Sequence, residues 1–147
     1  MAADPKCYDV LENVDETLYG LTKANGYHFD VQLVEWTWRN PTDYNESQNP
    51  AVAVIGADFI NAKYHTATGQ GLFAEGVILN LQVRGVLQGV DAHKEIFKLG
   101  FDIKKLIMED PARGTADIID TEWLSNIPHL FPDYAWVDCT FRCCWRE

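Results

Sequence analysis

Three of the four cysteines crowd the C-terminus, at Cys139, Cys143 and Cys144, with Cys7 far away in the chain. Clustered thiolates are what a structural zinc ion needs. The spacing argues against it. On an extended strand Cys139 and Cys143 share a face but lie about 13 Å apart, and Cys143 and Cys144 point to opposite faces. No paired C-x-x-C or H-x-x-x-H completes a tetrahedral set. Buried core thiols in a reducing compartment are the simpler reading.

The histidines, His28, His65, His93 and His129, fit no metalloprotease spacing and have no nucleophile at a recognisable distance along the chain. A structural or surface role is expected for each. Gly69-Gln70-Gly71 is too short to cradle a phosphate and lacks the Lys-Ser/Thr ending of a phosphate loop. Asp133 and Asp138 resemble a nuclease carboxylate pair. Thr140 stands where that chemistry needs a base. These residues therefore predict no catalytic centre, no metal and no cofactor.

The totals suit one domain over residues 1–147. The sequence is 47% hydrophobic, enough for a core, and carries a net charge of −10. Such acidity argues against a protein that grips nucleic acid through its phosphates. The longest apolar runs, such as Ala51–Ala57, fall well short of the roughly 20 residues of a membrane span. The N-terminus lacks the basic and apolar regions of a secretory signal, so folding in the cytoplasm is expected.

The elements can be read from periodicity. Asp4-Pro5 has the form of a helix start, and Cys7, Leu11, Val14, Leu18 and Leu21 form an apolar stripe. Asn25-Gly26 is expected just past the end of that helix. Val31 to Arg39 reads as a strand with Val34, Trp36 and Trp38 on one face, and Asn40 to Pro50 as a loop. Ala51–Ala57 reads as a short buried strand, and Asp58 to Phe73 as a long hairpin arm or mobile loop. Gly76 to Gln88 alternates between apolar Val77, Leu79, Leu81 and Val83 and polar Asn80, Gln82 and Arg84, which predicts a strand.

Asp91 is the expected cap of a second helix, whose apolar stripe includes Ile96, Leu99, Ile103 and Leu106. Lys94, Lys98 and Lys105, with Asp102 among them, read as its solvated face. Residues 112–133 show no clear pattern beyond a candidate strand over Ile118–Leu124, with Pro128 and Pro132 as breakers after it. Val137, Cys139, Phe141, Cys143 and Trp145 form one face of a closing strand. The expected class is α+β, a mainly antiparallel or mixed sheet packed with two helices, in the order α-β-β-β-α-(β)-β.

This ordered set resembles the tail-terminator or tail-completion proteins of long-tailed bacteriophages. Lys23-Ala24-Asn25-Gly26-Tyr27 leads through Asp30 into Val34-Glu35-Trp36. Pro50-Ala51-Val52-Ala53-Val54, Asp102-Ile103-Lys104-Lys105-Leu106, the Arg113-Gly114 loop and the closing strand come after it in the family's order. The cysteines of the closing strand and the length of the arm depart from the family pattern.

The resemblance implies a non-enzymatic virion protein of the tail and neck, assembled in the host cytoplasm. It implies a ring, typically hexameric, that caps the tail tube and offers a surface to the head connector. The implied partners are further copies of the chain, the major tail-tube protein and a head-closure or connector protein. DNA would pass through the lumen without specific binding, and no membrane is involved. Part of the acidic charge is expected to face the lumen and repel the genome. Interface residues are expected on loops and arms: Asp43, Tyr44, Phe59, Tyr64, Phe73, Arg113, Asp117, Glu122 and Trp123. Alternative readings are another neck component, such as a head-closure or adaptor protein, and a small ligand-binding or enzymatic α+β domain.

Overall fold

The computed structural model describes the backbone of residues 2, 6–37, 39–65, 73–109 and 118–146. Side chains are described for the same residues except 6, 54–65, 73–78, 118–120, 145 and 146. The architecture is α+β: two helices, α1 (Lys6–Leu18) and α2 (Ala92–Met108), on a five-stranded mixed sheet. The strands are β1 (Leu33–Glu35), β2 (Ala51–His65), β3 (Phe73–Gln88), β4 (Ile118–Leu130) and β5 (Tyr134–Arg146), in the spatial order β1-β2-β3-β5-β4. β1 runs parallel to β2, and the other pairs are antiparallel. Among the described residues no helix is long and apolar enough to cross a membrane.

The inner face of the sheet carries the core. Leu79, Leu81 and Val83 on β3 and Cys139, Phe141 and Cys143 on β5 are fully buried beneath the helices. On α1 the predicted stripe holds at Val14 and Leu18, extends to Val10, and leaves Cys7 and Leu11 partly buried. On α2, Ile96, Leu99, Ile103 and Ile107 supply the facing surface. Helix and sheet approach closely at Gly85, where an added Cβ would lie 2.8 Å from both Leu99 and Ile103. Position 85 therefore has to lack a side chain for α2 to sit so low on β3.

Several expectations change. The strand expected over residues 31–39 is only three residues long. Beyond it Glu35 turns inward to accept hydrogen bonds from Arg39 and from the Tyr44 hydroxyl, which pulls the chain into the following loop. Trp36 thus lies past the strand and is partly exposed, and Trp38 lies outside the described residues. The loop over residues 40–50 contains two short 3-10 helices, Pro41–Asp43 and Glu46–Gln48.

The short strand expected at 51–57 runs on to His65. Asp58–His65 is paired strand rather than mobile loop, and with β3 it forms a long hairpin. Residues 66–72 of the expected arm lie outside the described residues, as do Asp4 and Pro5. Gly26, at φ 93°, closes a separate 3-10 helix (Lys23–Asn25), not α1. Its Thr22 cap accepts from the Asn25 N–H. Asp91 occupies the cap position of α2 without a side-chain cap bond.

The patternless stretch resolves largely into β4, which reaches Leu130 with Pro128 inside it. β4 stands at the end of the strand order, and an edge strand tolerates proline because one of its sides has no ladder to feed. Trp123, within the candidate strand over Ile118–Leu124, sits on β4. Asp102, expected on the solvated lysine face, is only 1% exposed.

Candidate assembly surfaces

The outer face of the sheet, away from the helices, is built from the polar half of the strand alternation. The register places Arg84 opposite Asp138, Gln82 opposite Thr140 and Asn80 opposite Arg142. Arg84 Nε and Nη2 donate to the two carboxylate oxygens of Asp138 at 2.8 and 3.3 Å, a bidentate arrangement. His129 Nε2 lies 3.3 Å from Asp138 Oδ2. The guanidinium of Arg84 also lies over the Trp136 ring at 5.2 Å, and His129 stacks on the same ring at 4.6 Å. Phe131 and Tyr134 extend the stack toward the β4–β5 turn. Asp138, a candidate nuclease carboxylate by sequence, is thus held by a structural ion pair.

One end of this face is covered by the loop over residues 40–50. Tyr44 packs with Ala51 and Val86 in a small second core. Its hydroxyl donates to Glu35 Oε2 at 3.0 Å, and Arg39 lies over its ring. Burial, and after it the hydrogen bond to Glu35, pushes the Tyr44 phenol up to about 12. Gln88 Nε2 donates to the carbonyls of Tyr44 and Pro41, and the Asn49 side chain bonds both the N–H and the C=O of Gln88. The loop is therefore tied to the end of β3.

A second tie crosses the helical layer. Asp102 of α2 accepts the backbone N–H of His28 at 2.8 Å, and its other oxygen lies 2.7 Å from His28 Nδ1. One buried carboxylate thereby pins the 22–31 connection onto α2. Tyr27 packs beside it; burial, and then the Glu109 carboxylate, raises its phenol to about 12. No group of three or more His, Cys, Asp or Glu side chains converges as a metal site among the described residues.

The residues expected at interfaces are spread over several elements. Asp43 is exposed on the first 3-10 helix of the loop, while Tyr44 is 5% exposed. Phe59 and Tyr64 lie on β2 and Phe73 begins β3, so all three belong to the long hairpin; their side chains are outside the described set. Arg113 and Asp117 lie outside the described residues. Glu122 is exposed on edge strand β4, with Arg142 Nη1 4.0 Å away. Trp123, next to it, is half-buried: its Nε1 donates to Asn126 Oδ1 at 2.8 Å, and Lys104 Nζ sits 3.7 Å from its ring centroid.

Sequence reading missed the Arg84–Asp138–His129 cluster, the Asp102–His28 tie and two exposed phenylalanines, Phe97 and Phe101, on α2. A signal existed for the first, since Arg84 and Asp138 both sit on the wet phase of long strands. For the phenylalanines the signal was their i, i+4 spacing off the apolar stripe.

No protein-family model matches the chain, and no curated protein matches it. Among solved structures, a chain from the virion of a native gene transfer agent particle shares the fold. That likeness has a TM-score of 0.51 at 11% sequence identity and spans 94% of this chain and 92% of the other.

Proposed function

We propose that this chain is a structural protein of a phage-like virion, and that it forms a ring, probed most simply as a hexamer, at the end of the tail tube. The observation that carries the reading is the near end-to-end likeness of fold to a chain of a gene transfer agent virion. The described titratable clusters are consistent with this role: Asp138 and Asp102 each spend their oxygens on structural donors.

In this reading the ring caps the tail tube and stops its growth, and its other side receives the head connector. The long β2–β3 hairpin and the edge strand β4 are natural contact elements, because paired arms and sheet edges offer backbone and side chains to a neighbour. The net charge of −10 per subunit gives the ring an acidic character, so DNA slides through the lumen without being held. Assembly takes place in the host cytoplasm, and the product resides in the virion.

Light scattering across a concentration series tests the ring. A mass rising toward six times 16.7 kDa is expected. Incubation with purified tail tubes then tests capping, with arrest of tube growth expected. Binding to DNA-filled heads in place of tubes would reassign the chain to the head side of the neck.

A further inference from the structure

The two helices present exposed stripes of opposite charge. α1 packs over β1 and β2, and α2 over β3, β5 and β4. On α1, Tyr8, Glu12 and Asp15, with Tyr19 in the turn just past its end, recur at spacings of four, three and four, which is one helical stripe. Asp9 and Glu16 flank it. Tyr8 is 43% exposed and Tyr19 57%. The stripe points away from α2: Gly20, on the other side of the helix end, is the position that meets Leu106, whereas Tyr8 touches the partly exposed Trp36 beyond edge strand β1 at 5.8 Å.

On α2, Lys94, Phe97, Phe101 and Lys105 recur at three, four and four, with Lys98 beside them. Both phenylalanines are 57% exposed. Of the two acids of this helix, Asp102 is buried on His28 and Glu95 pairs with Lys98, which leaves Lys94 and Lys105 to carry the charge of the stripe. The side of α2 next to this stripe borders edge strand β4, where Lys104 covers Trp123. Each stripe spans eleven residue steps, about 16 Å at helical rise.

We infer that the acidic aromatic stripe of α1 docks on the basic aromatic stripe of α2 in a second copy of this chain. The inference rests on the ring reading and names its contact. Charge decides the occupant. A chain at −10 repels its own copies almost everywhere, and the α2 stripe is a concentrated basic surface that an acidic copy can approach. A two-fold contact that pairs either stripe with itself would set lysines against lysines or carboxylates against carboxylates. The head-to-tail contact sets opposite charges together with exposed aromatic rings between them. Head-to-tail contacts that close on themselves generate rings.

The test uses the full chain in sedimentation velocity at low and moderate salt. Glu12→Lys with Glu16→Lys reverses the α1 stripe, and Lys94→Glu with Lys98→Glu reverses the α2 stripe; all four side chains are exposed, and unchanged circular dichroism and melting verify the fold. Each pair alone is expected to weaken self-association at least tenfold. Mixing the two reversed proteins, or combining all four changes in one chain, is expected to restore it. Phe101→Ala, which leaves charge untouched, is expected to weaken it as well.

Reversed pairs that associate like the parent, or a four-change chain that does not recover, overturn this contact while leaving the ring reading standing. A parent that stays monomeric at every concentration and on tail tubes overturns both.

Discussion

The two faces of the β3–β5 ladder share one register and obey different rules. On the inner face Leu81 stands opposite Phe141, Val83 opposite Cys139 and Gly85 opposite Val137; on the outer face Asn80, Gln82 and Arg84 stand opposite Arg142, Thr140 and Asp138. The inner pairs are held by volume, because α2 lies on them close enough to demand a glycine. The outer pairs are held by charge and stacking. Removing atoms should therefore hurt most inside, whereas outside the harm should come from leaving a partner unpaired.

Phe141→Ala should give the largest loss. Phe141 is the largest of the fully buried side chains among the described residues, so a cavity opens beneath α2, and unfolding in urea should register a loss of about 3–5 kcal/mol. Thr140→Ala, one residue away on the other face, should change stability by about 0.5 kcal/mol or less. Comparable losses at both positions would break the contrast between the faces.

Arg84→Ala comes next. It leaves the 7%-exposed carboxylate of Asp138 with His129 as its remaining side-chain partner among those described. A loss of about 2–3 kcal/mol is expected, below that of a wholly orphaned buried charge. Replacing the pair together, as Arg84→Met with Asp138→Leu, should recover much of it, since neither charge is then stranded. A double-mutant cycle that shows simple additivity would mean the bidentate pair is not what holds the outer face.

Gly85→Ala tests the inner face from the opposite direction, by adding volume. The new methyl meets Leu99 and Ile103 side chains that are already packed, so about 1–3 kcal/mol should be lost as α2 lifts. Gly26→Ala disturbs no neighbour within 4 Å, but its φ of 93° makes alanine strained there, for about 1 kcal/mol. The first substitution acts through contact and the second through backbone alone.

The same division explains what could be read in advance. The α1 stripe, the alternation of β3 and the two phases of β5 were legible because each is a local period of apolar residues, written within a dozen positions. The length of β2 was not: Asp58, Asn61 and Lys63 break the apolar run, yet their backbone is paired across to β3, and pairing is invisible to composition. β4 was obscured by Pro128, harmless because the strand is an edge. Asp102 looked like one more charge in a lysine-rich stretch. Its partner, His28, lies 74 residues earlier, and only the fold brings the two together. Of the surface, Glu122 and Trp123 could be picked out by type, whereas the exposure of Phe97 and Phe101 depends on how α2 is rotated against the sheet.

The smallest effect at neutral pH distinguishes the two faces by titration. Burial, and after it the neighbouring Asp138 carboxylate, pushes the Cys139 thiol up to about 12, from an ordinary value near 9.0. The folded protein therefore holds this proton where the unfolded chain releases it. Stability from this group is fully present below pH 9, declines as pH rises, and is lost as pH passes through 12. Cys139→Ala should flatten that alkaline decline, at a small fixed loss of volume. Cys144, on the outer phase and half-buried, should react with a thiol reagent at about pH 8 much faster than Cys139, which should react only at the rate of unfolding. Equal labelling of the two thiols in the native protein would show that α2 opens readily from β5, and would place the weak seam of the molecule at its inner face rather than its outer one.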